Sequence, residues 1–306
     1  MALHSNITGR FRRPSFSTVL MMSLLLVGAA VIAYPTFADW WNSYHQHRAI
    51  SDYVRVVEEA DETTIDAMLE EARRYNVRLA YNGNRFSMSD AELEEYRSVL
   101  NPTGSGIMGY VQVPKIGISY PIYHGVEERT LQTSIGHLEG TSLPVGGPST
   151  HAAVTGHRGL PSAKLFSDLD KLREGDIFTV TVLTQTIAYE VDQIRIVEPE
   201  DMSALNIEKD EDYMTLVTCT PYGVNTHRLL VRGHRTDGVS RIQAIPAEAV
   251  QIPNYIAVPA VGIPMLFTYL AVTLLADRGS LRRHKVDREK ALQELRGGDA
   301  RGGDKT

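Results

Sequence analysis

Thr215-Leu216-Val217-Thr218-Cys219-Thr220-Pro221-Tyr222-Gly223-Val224-Asn225-Thr226-His227-Arg228-Leu229-Leu230-Val231-Arg232-Gly233 holds the single cysteine of this 306-residue chain. Ahead of it, Tyr213, Thr215, Val217 and Cys219 alternate with Met214, Leu216 and Thr218, the period-two pattern of a strand. The residues from His227 onward read as a second strand. Between the two lie Pro221, Gly223 and Asn225, all turn formers. The spacing predicts a hairpin-like return that sets Arg228 beside Cys219. A guanidinium is permanently charged and presents a rigid fork of donors. Next to a thiol, it suits stabilising a thiolate or holding a carbonyl oxygen as negative charge develops on it.

Outward from this stretch the pattern is mainly β. Short runs at Met108–Val113, Ile116–Tyr123, Ala152–Thr155, Phe178–Leu183, Ile187–Val197, Tyr213–Cys219 and His227–Arg232 are separated by Gly, Pro, Asn and Asp, which predicts a barrel or sandwich. Leu165, Phe166, Leu169 and Leu172 predict a short helix over Ser162–Leu172. Before the β region, Ile50, Tyr53, Val54, Val57, Ile65, Met68, Leu69 and Ala72 mark one apolar face of a helix over 50–75. A second helix is predicted over Asp90–Leu100, capped by Ser89 or Asp90 and ended by Asn101-Pro102. Gly104-Ser105-Gly106 links it to the β region.

A second chemical element is Thr155-Gly156-His157-Arg158-Gly159, directly after the apolar run Ala152-Ala153-Val154. A histidine at a strand end can project into a cleft. The chain has ten histidines, so position alone leaves His124, His137, His151, His227 and His234 as rivals. His227, next to Arg228, would point to the opposite face of its strand. Gly156, Gly159 and Gly223 are read as serving backbone conformation. Asp168, Asp170 and Asp192 are the nearest carboxylates in sequence and read as surface or structural groups.

The stretch TLVTCTPYGVNTHRLLVRG resembles the active-site signature of the sortases, the cysteine transpeptidases of Gram-positive cell surfaces. Its Pro-Tyr-Gly-Val-Asn-Thr-His insert resembles class C, the pilin-polymerising members. GYVQVPKIGISYPIYHG, GHLEGTSLPVGG and HAAVTGHRGLPSAKLF extend the resemblance, in family order, from about Met108 to Gly233. The resemblance implies a closed β-barrel of about eight strands. It implies Cys219, His157 and Arg228 as catalytic residues, with Thr218, Tyr222 and His227 as cleft or structural support. No metal and no cofactor is implied. Cys219 would attack the carbonyl of a Leu-Pro-x-Thr-Gly-like sorting signal, cut after Thr, and form a thioester. The acyl group would then pass to a pilin Lys amine. Partners would be pilin or surface-protein substrates with a C-terminal sorting signal. Competing readings are a housekeeping sortase that anchors proteins to peptidoglycan and a non-enzymatic surface scaffold. Many class C members carry an Asp-Pro-aromatic lid between two N-terminal helices. Here that stretch, residues 80–89, has no such triplet; Tyr81, Arg85 and Phe86 are the candidate lid residues. Leu143-Pro144-Val145-Gly146-Gly147, superficially like a sorting signal, reads as a structural loop.

Composition adds bounds. A net charge of −6 gives no reason to expect nucleic acid. One cysteine excludes an internal disulfide. Residues 14–38 and 249–276 carry no charge, and about 20 apolar residues suffice to cross a bilayer as a helix. Arg10, Arg12 and Arg13 precede the first run; Arg278, Arg282, Arg283 and Lys285 follow the second. The positive-inside rule then puts both termini in the cytoplasm and the domain between them outside, against a lipid bilayer. The predicted organisation is a cytoplasmic tail over 1–17, a transmembrane helix or signal-anchor over 18–38, an extracellular helical, lid-like region over 39–106, the catalytic barrel over 107–248, a second transmembrane helix over 249–276, and a disordered cytoplasmic tail over 277–306. The alternative for the N-terminus is a signal peptide cleaved near Thr36-Phe37-Ala38.

Overall fold

The structure, a computed structural model, describes residues 16–160 and 163–237 together with positions 262, 265, 268 and 269. It divides into two units, residues 1–27 with 248–306, and residues 28–247. In the first, the described part is the start of helix α1 (Phe16–Glu59) and the four C-terminal positions, which are helical. The second carries everything else.

Eight strands close into a barrel: β1 (Ile107–Val113), β2 (Ile118–His124), β3 (Ile135–His137), β4 (Thr150–Thr155), β5 (Ile177–Val182), β6 (Gln185–Val197), β7 (Asp212–Thr220) and β8 (His227–Thr236). Their order around the barrel is β1-β2-β3-β4-β7-β8-β6-β5. The β2/β3 and β4/β7 pairs are parallel and the rest antiparallel. Closure removes free strand edges. Seven of these strands fall on runs read from the sequence. The eighth, β3, has three residues, all buried, so it shows no alternation to read. β2 starts at Ile118 rather than Ile116, because Pro114–Ile116 form a 3-10 turn that Gly117 ends at φ 63°. β8 runs past Arg232 to Thr236.

Two helix expectations are corrected. The single helix over 50–75 is two. α1 stops at Glu59, and α2 (Glu62–Ala80) begins after Asp61, which takes an extended conformation and accepts the Thr64 amide at 2.9 Å. A carboxylate at that position satisfies an orphan helix-start N–H. Of the helix expected over Ser162–Leu172, the described residues 163–172 form an irregular segment with one 3-10 turn at Leu169–Lys171. Leu165, Phe166, Leu169 and Leu172 are all buried there, but Leu165 sits at φ 38°, which no right-handed helix accommodates. α3 (Asp90–Ser98) forms as expected, with Ser89 and Glu92 in a reciprocal capping box. A short helix, α4 (Glu128–Leu131), precedes β3.

The helices belong to the barrel's core. Tyr53 of α1, Leu69 of α2 and Tyr96 of α3 share one apolar cluster with Met108, Val111, Ile122 and Val180. The buried Tyr53 hydroxyl donates to the Met108 carbonyl at 3.0 Å and accepts the Leu183 amide at 2.7 Å. Asn76 of α2 bonds both the amide and the carbonyl of Leu143, at 2.7 and 2.9 Å. The Leu143–Gly147 loop is thus structural, as its sequence suggests.

The transmembrane helices expected over 18–38 and 249–276 are not supported by the described residues, among which no helix is long and apolar enough to cross a membrane. The apolar run is instead the first part of the longer α1, which passes through Pro35 and turns polar from Asp39 within the same helix. Leu20, Met21, Leu24, Leu25, Leu26, Val27 and Val31 of that run are exposed. Apart from the four helical positions, the 249–276 span lies outside the described residues, as do the tails 1–15 and 277–306.

Candidate active site

The site follows from two strand registers. β4 and β7 run parallel with Thr155 opposite Val217. One residue on, the Gly156 amide donates to the Val217 carbonyl at 3.1 Å, and the Thr218 hydroxyl donates to the Gly156 carbonyl at 2.8 Å. His157 therefore leaves β4 level with Cys219 on β7. β7 and β8 run antiparallel with Cys219 opposite Arg228. His157, Cys219 and Arg228 come from three adjacent segments at one end of the barrel, with neighbouring strands about 4.8 Å apart. The predicted hairpin return is observed: the Val224 and Asn225 amides both donate to the Pro221 carbonyl, at 3.1 and 2.9 Å, and Gly223 and Asn225 take φ of 76° and 61°.

Close packing explains Gly156 better than conformation does. A Cβ there would lie 2.8 Å from Ile135 and 3.1 Å from the Phe166 ring. Gly159, at φ 78°, combines both reasons, because the Tyr222 ring lies 3.0 Å from where its Cβ would be. Tyr222 thus folds back over the segment after His157. Arg158 stands under it, its guanidinium 5.7 Å from the ring centre, with an ion pair to Asp170 and a 3.4 Å hydrogen bond to the Thr220 hydroxyl. The Arg158 Nε is buried without a partner.

Arg228 is half-buried and donates to the carbonyls of Asn225 and His227 at 3.4 and 3.3 Å. Among the described residues no carboxylate pairs with it, and the register sets its Cα opposite that of Cys219. His227 is exposed and its Nδ1 lies 2.9 Å from the Thr226 hydroxyl. It pairs with Thr220 rather than with Cys219. Thr218 is buried and its hydroxyl is spent on β4.

Of the other rival histidines, His234 is exposed, and His124, His137 and His151 are structural. His137 is fully buried, donating through Nε2 to Ser142 and bonding Tyr96 through Nδ1, and burial pushes its pKa down to about 4. His151, held between Asn206 and Thr215, is likewise pushed down to about 4 by burial. His124 bonds the carbonyls of Gly106 and Val99. His157 differs: its Nε2 is buried but makes no hydrogen bond. Among the described residues its ion-pair partner is Oε1 of Glu128 in α4, at 3.5 Å. Neither Glu128 nor Arg158 emerges from the sequence. Glu128 is 29 positions from His157, and Arg158 reads there as a neighbour of the histidine with no partner of its own.

The three acidic residues singled out in sequence are engaged. Asp168 pairs with Lys171 and Lys164, which hold its carboxyl below the usual carboxylate range. Asp170 pairs with Arg158 and Asp192 with Arg232. Among the described residues no group of three His, Cys, Asp or Glu is arranged to hold a metal ion. Of the candidate lid residues, Arg85 is buried and donates to the carbonyls of Gly140 and Leu205, at 3.2 and 2.9 Å, with Phe86 stacked on its guanidinium. Tyr81 is exposed. These contacts seat the segment on the loop after β3 and on the turn at Ser203–Leu205.

Comparison with known proteins agrees with this architecture. A model of the sortase domain matches residues 111–236. Sortase C1 from Streptococcus agalactiae is 55% identical, covering 62% of this chain and 98% of its own, with a TM-score of 0.60. Sortase C of Streptococcus pneumoniae, whose structure is described in connection with pilin substrate specificity, is 44% identical over 62% of this chain and 96% of its own, at 0.56. Clostridium perfringens sortase C, solved with a C-terminal cell wall sorting motif, is 40% identical over 62% and 98%, at 0.55.

Proposed function

Since the chain belongs to the sortase family and is a cysteine transpeptidase, we propose that it acts as a class C enzyme, cleaving a Leu-Pro-x-Thr-Gly-like sorting signal and joining the acyl group to a pilin Lys amine. The register that sets Cys219 between His157 and Arg228 carries this reading. The Cys219 thiolate attacks the Thr carbonyl. His157, as imidazolium, protonates the departing Gly amine as the C–N bond breaks, leaving a thioester. Arg228 holds the oxyanion. The neutral His157 then takes a proton from the incoming amine, which displaces the thiolate and forms the isopeptide bond. Thr218 ties the two strands that carry Cys219 and His157, and Tyr222 roofs the segment after His157.

The same reading includes a membrane seat with the barrel outside and both termini in the cytoplasm. Its support is the row of exposed apolar side chains along the start of α1, followed by a cluster of Phe37, Trp40, Trp41 and Tyr44 in mutual ring contact. Aromatic rings of this kind collect at membrane–water interfaces.

The test is intact-mass analysis of the purified full chain mixed with a Leu-Pro-x-Thr-Gly peptide. An acyl adduct on Cys219, absent in Cys219→Ala, is expected. Adding a pilin Lys peptide should convert the adduct to an isopeptide product, whereas turnover with a wall-precursor amine alone would move the assignment to peptidoglycan anchoring.

A further inference from the structure

The end of the barrel places a carboxylate on the side of His157 away from the cysteine. α4 leads into β3, β3 lies beside β4, and β4 lies beside β7. Glu128, His157, Cys219 and Arg228 therefore follow one another around the rim. Glu128 Oε1 stands 3.5 Å from His157 Nε2, an atom that is buried and has no hydrogen-bond partner. A buried ring N–H without an acceptor costs free energy, and among the described residues Glu128 is the carboxylate that pairs with it. The neighbouring carboxylate is already committed, since Glu127 holds Arg97 at 3.1 Å and Arg129 at 2.8 Å. Glu128 pairs with no lysine or arginine among the described residues. Gln132, one turn on, donates to its Oε1 and fixes the side chain.

We propose that Glu128 is a positioning residue for His157: its carboxylate accepts the Nε2–H, turns Nδ1 toward Cys219 and stabilises the imidazolium that acylation starts from and that aminolysis of the thioester regenerates. The inference rests on the thioester reading above. It follows the general logic by which a carboxylate behind a catalytic histidine sets its tautomer and orientation. The 3.5 Å separation suits a resting site, because such bonds tighten when substrate is bound. Glu128 itself is 70% exposed, so it adds charge without a large desolvation penalty. That exposure also makes the position accessible to a small carboxylate from solvent.

The experiment measures the rate of the Cys219 adduct by quenched-flow mass spectrometry on the full chain, as a function of peptide concentration. Glu128→Ala is expected to lower the maximal acylation rate roughly tenfold to a hundredfold, with half-saturation within about twofold. Glu128→Gln should fall between, because an amide oxygen still accepts the Nε2–H. Glu127→Gln should match the wild type. Formate should restore part of the rate of Glu128→Ala and leave the wild type unchanged, an effect that a folding defect would not produce. A Glu128→Ala protein that acylates at the wild-type rate, or whose loss lies wholly in half-saturation, overturns the assignment. Absence of any adduct in the wild type would instead overturn the thioester reading, and the inference with it.

Discussion

His157 and His137 are both barrel histidines, yet their surroundings divide them. His137 has hydrogen-bond partners on both ring nitrogens and no exposure, and burial holds it neutral. His157 keeps an unpaired Nε2 and a partly open ring. Unfolding frees His137 and His151 to bind protons between their folded pKa of about 4 and the ordinary 6.5. The unfolded state thus binds more protons in that window, and stability rises with pH across it. The contribution is full above pH 6.5 and is lost as pH falls toward 4. Denaturant midpoints should therefore drop progressively from pH 7 to pH 4.5; a flat profile would mean these rings are not buried neutral. At the cleft, Arg228→Lys should not rescue Arg228→Ala, because an ammonium lacks the planar fork. Loss of an oxyanion donor costs about a hundredfold to a thousandfold in rate, and single-turnover acylation would read it.

At the scale of elements, the decisive unit is the β7–β8 hairpin with the end of β4 laid along it. Its strands were legible because their side chains alternate. Segment 163–172 was not, because burial of Leu165, Phe166, Leu169 and Leu172 creates a helix-like spacing in a chain that φ at Leu165 takes elsewhere. β8 passes close to β5 and β6 at Gly233, where a Cβ would lie 2.8 Å from the buried Phe178 ring. Gly233→Ala should cost about 1–3 kcal/mol by overpacking, read as a lower denaturation midpoint; an unchanged midpoint would show that the ring can yield. Tyr53 links α1 to β1 and to Leu183. Tyr53→Phe leaves the buried Leu183 amide without its acceptor, and a loss of about 1–3 kcal/mol is expected. Were stability unaffected, the contact between α1 and the barrel would be dispensable.

On the scale of the whole molecule, the helical stretch from Tyr53 to Tyr96 contributes to the barrel's core rather than forming an appendage. Asp39 of α1 accepts the Lys164 amide at 2.8 Å, which ties the residue before Trp40 to the segment that follows His157. If the ring cluster on α1 lies at a bilayer surface, the cleft works close to that surface. Trp40 and Trp41 are the chain's two tryptophans, so the test needs no labelling. In vesicles containing lipids brominated near the headgroup, full-chain tryptophan emission should be strongly quenched. Emission equal to that in unbrominated vesicles would remove this seat.

Alternation, turn residues and the order of motifs determined the β class, the pairing of Cys219 with Arg228 and the candidacy of His157, because each depends on neighbours close along the chain or on a long matched signature. The level at which His157 meets Cys219 and the contacts made by Arg158, Tyr222 and Glu128 were decided only by tertiary structure. They arise from strand registers and packing between residues up to tens of positions apart. Glu128 reaches His157 because α4 is set before β3 and β3 pairs with β4. Local pattern carries no record of that proximity, since hydrophobic periodicity records which face of an element is buried and not which element it is buried against.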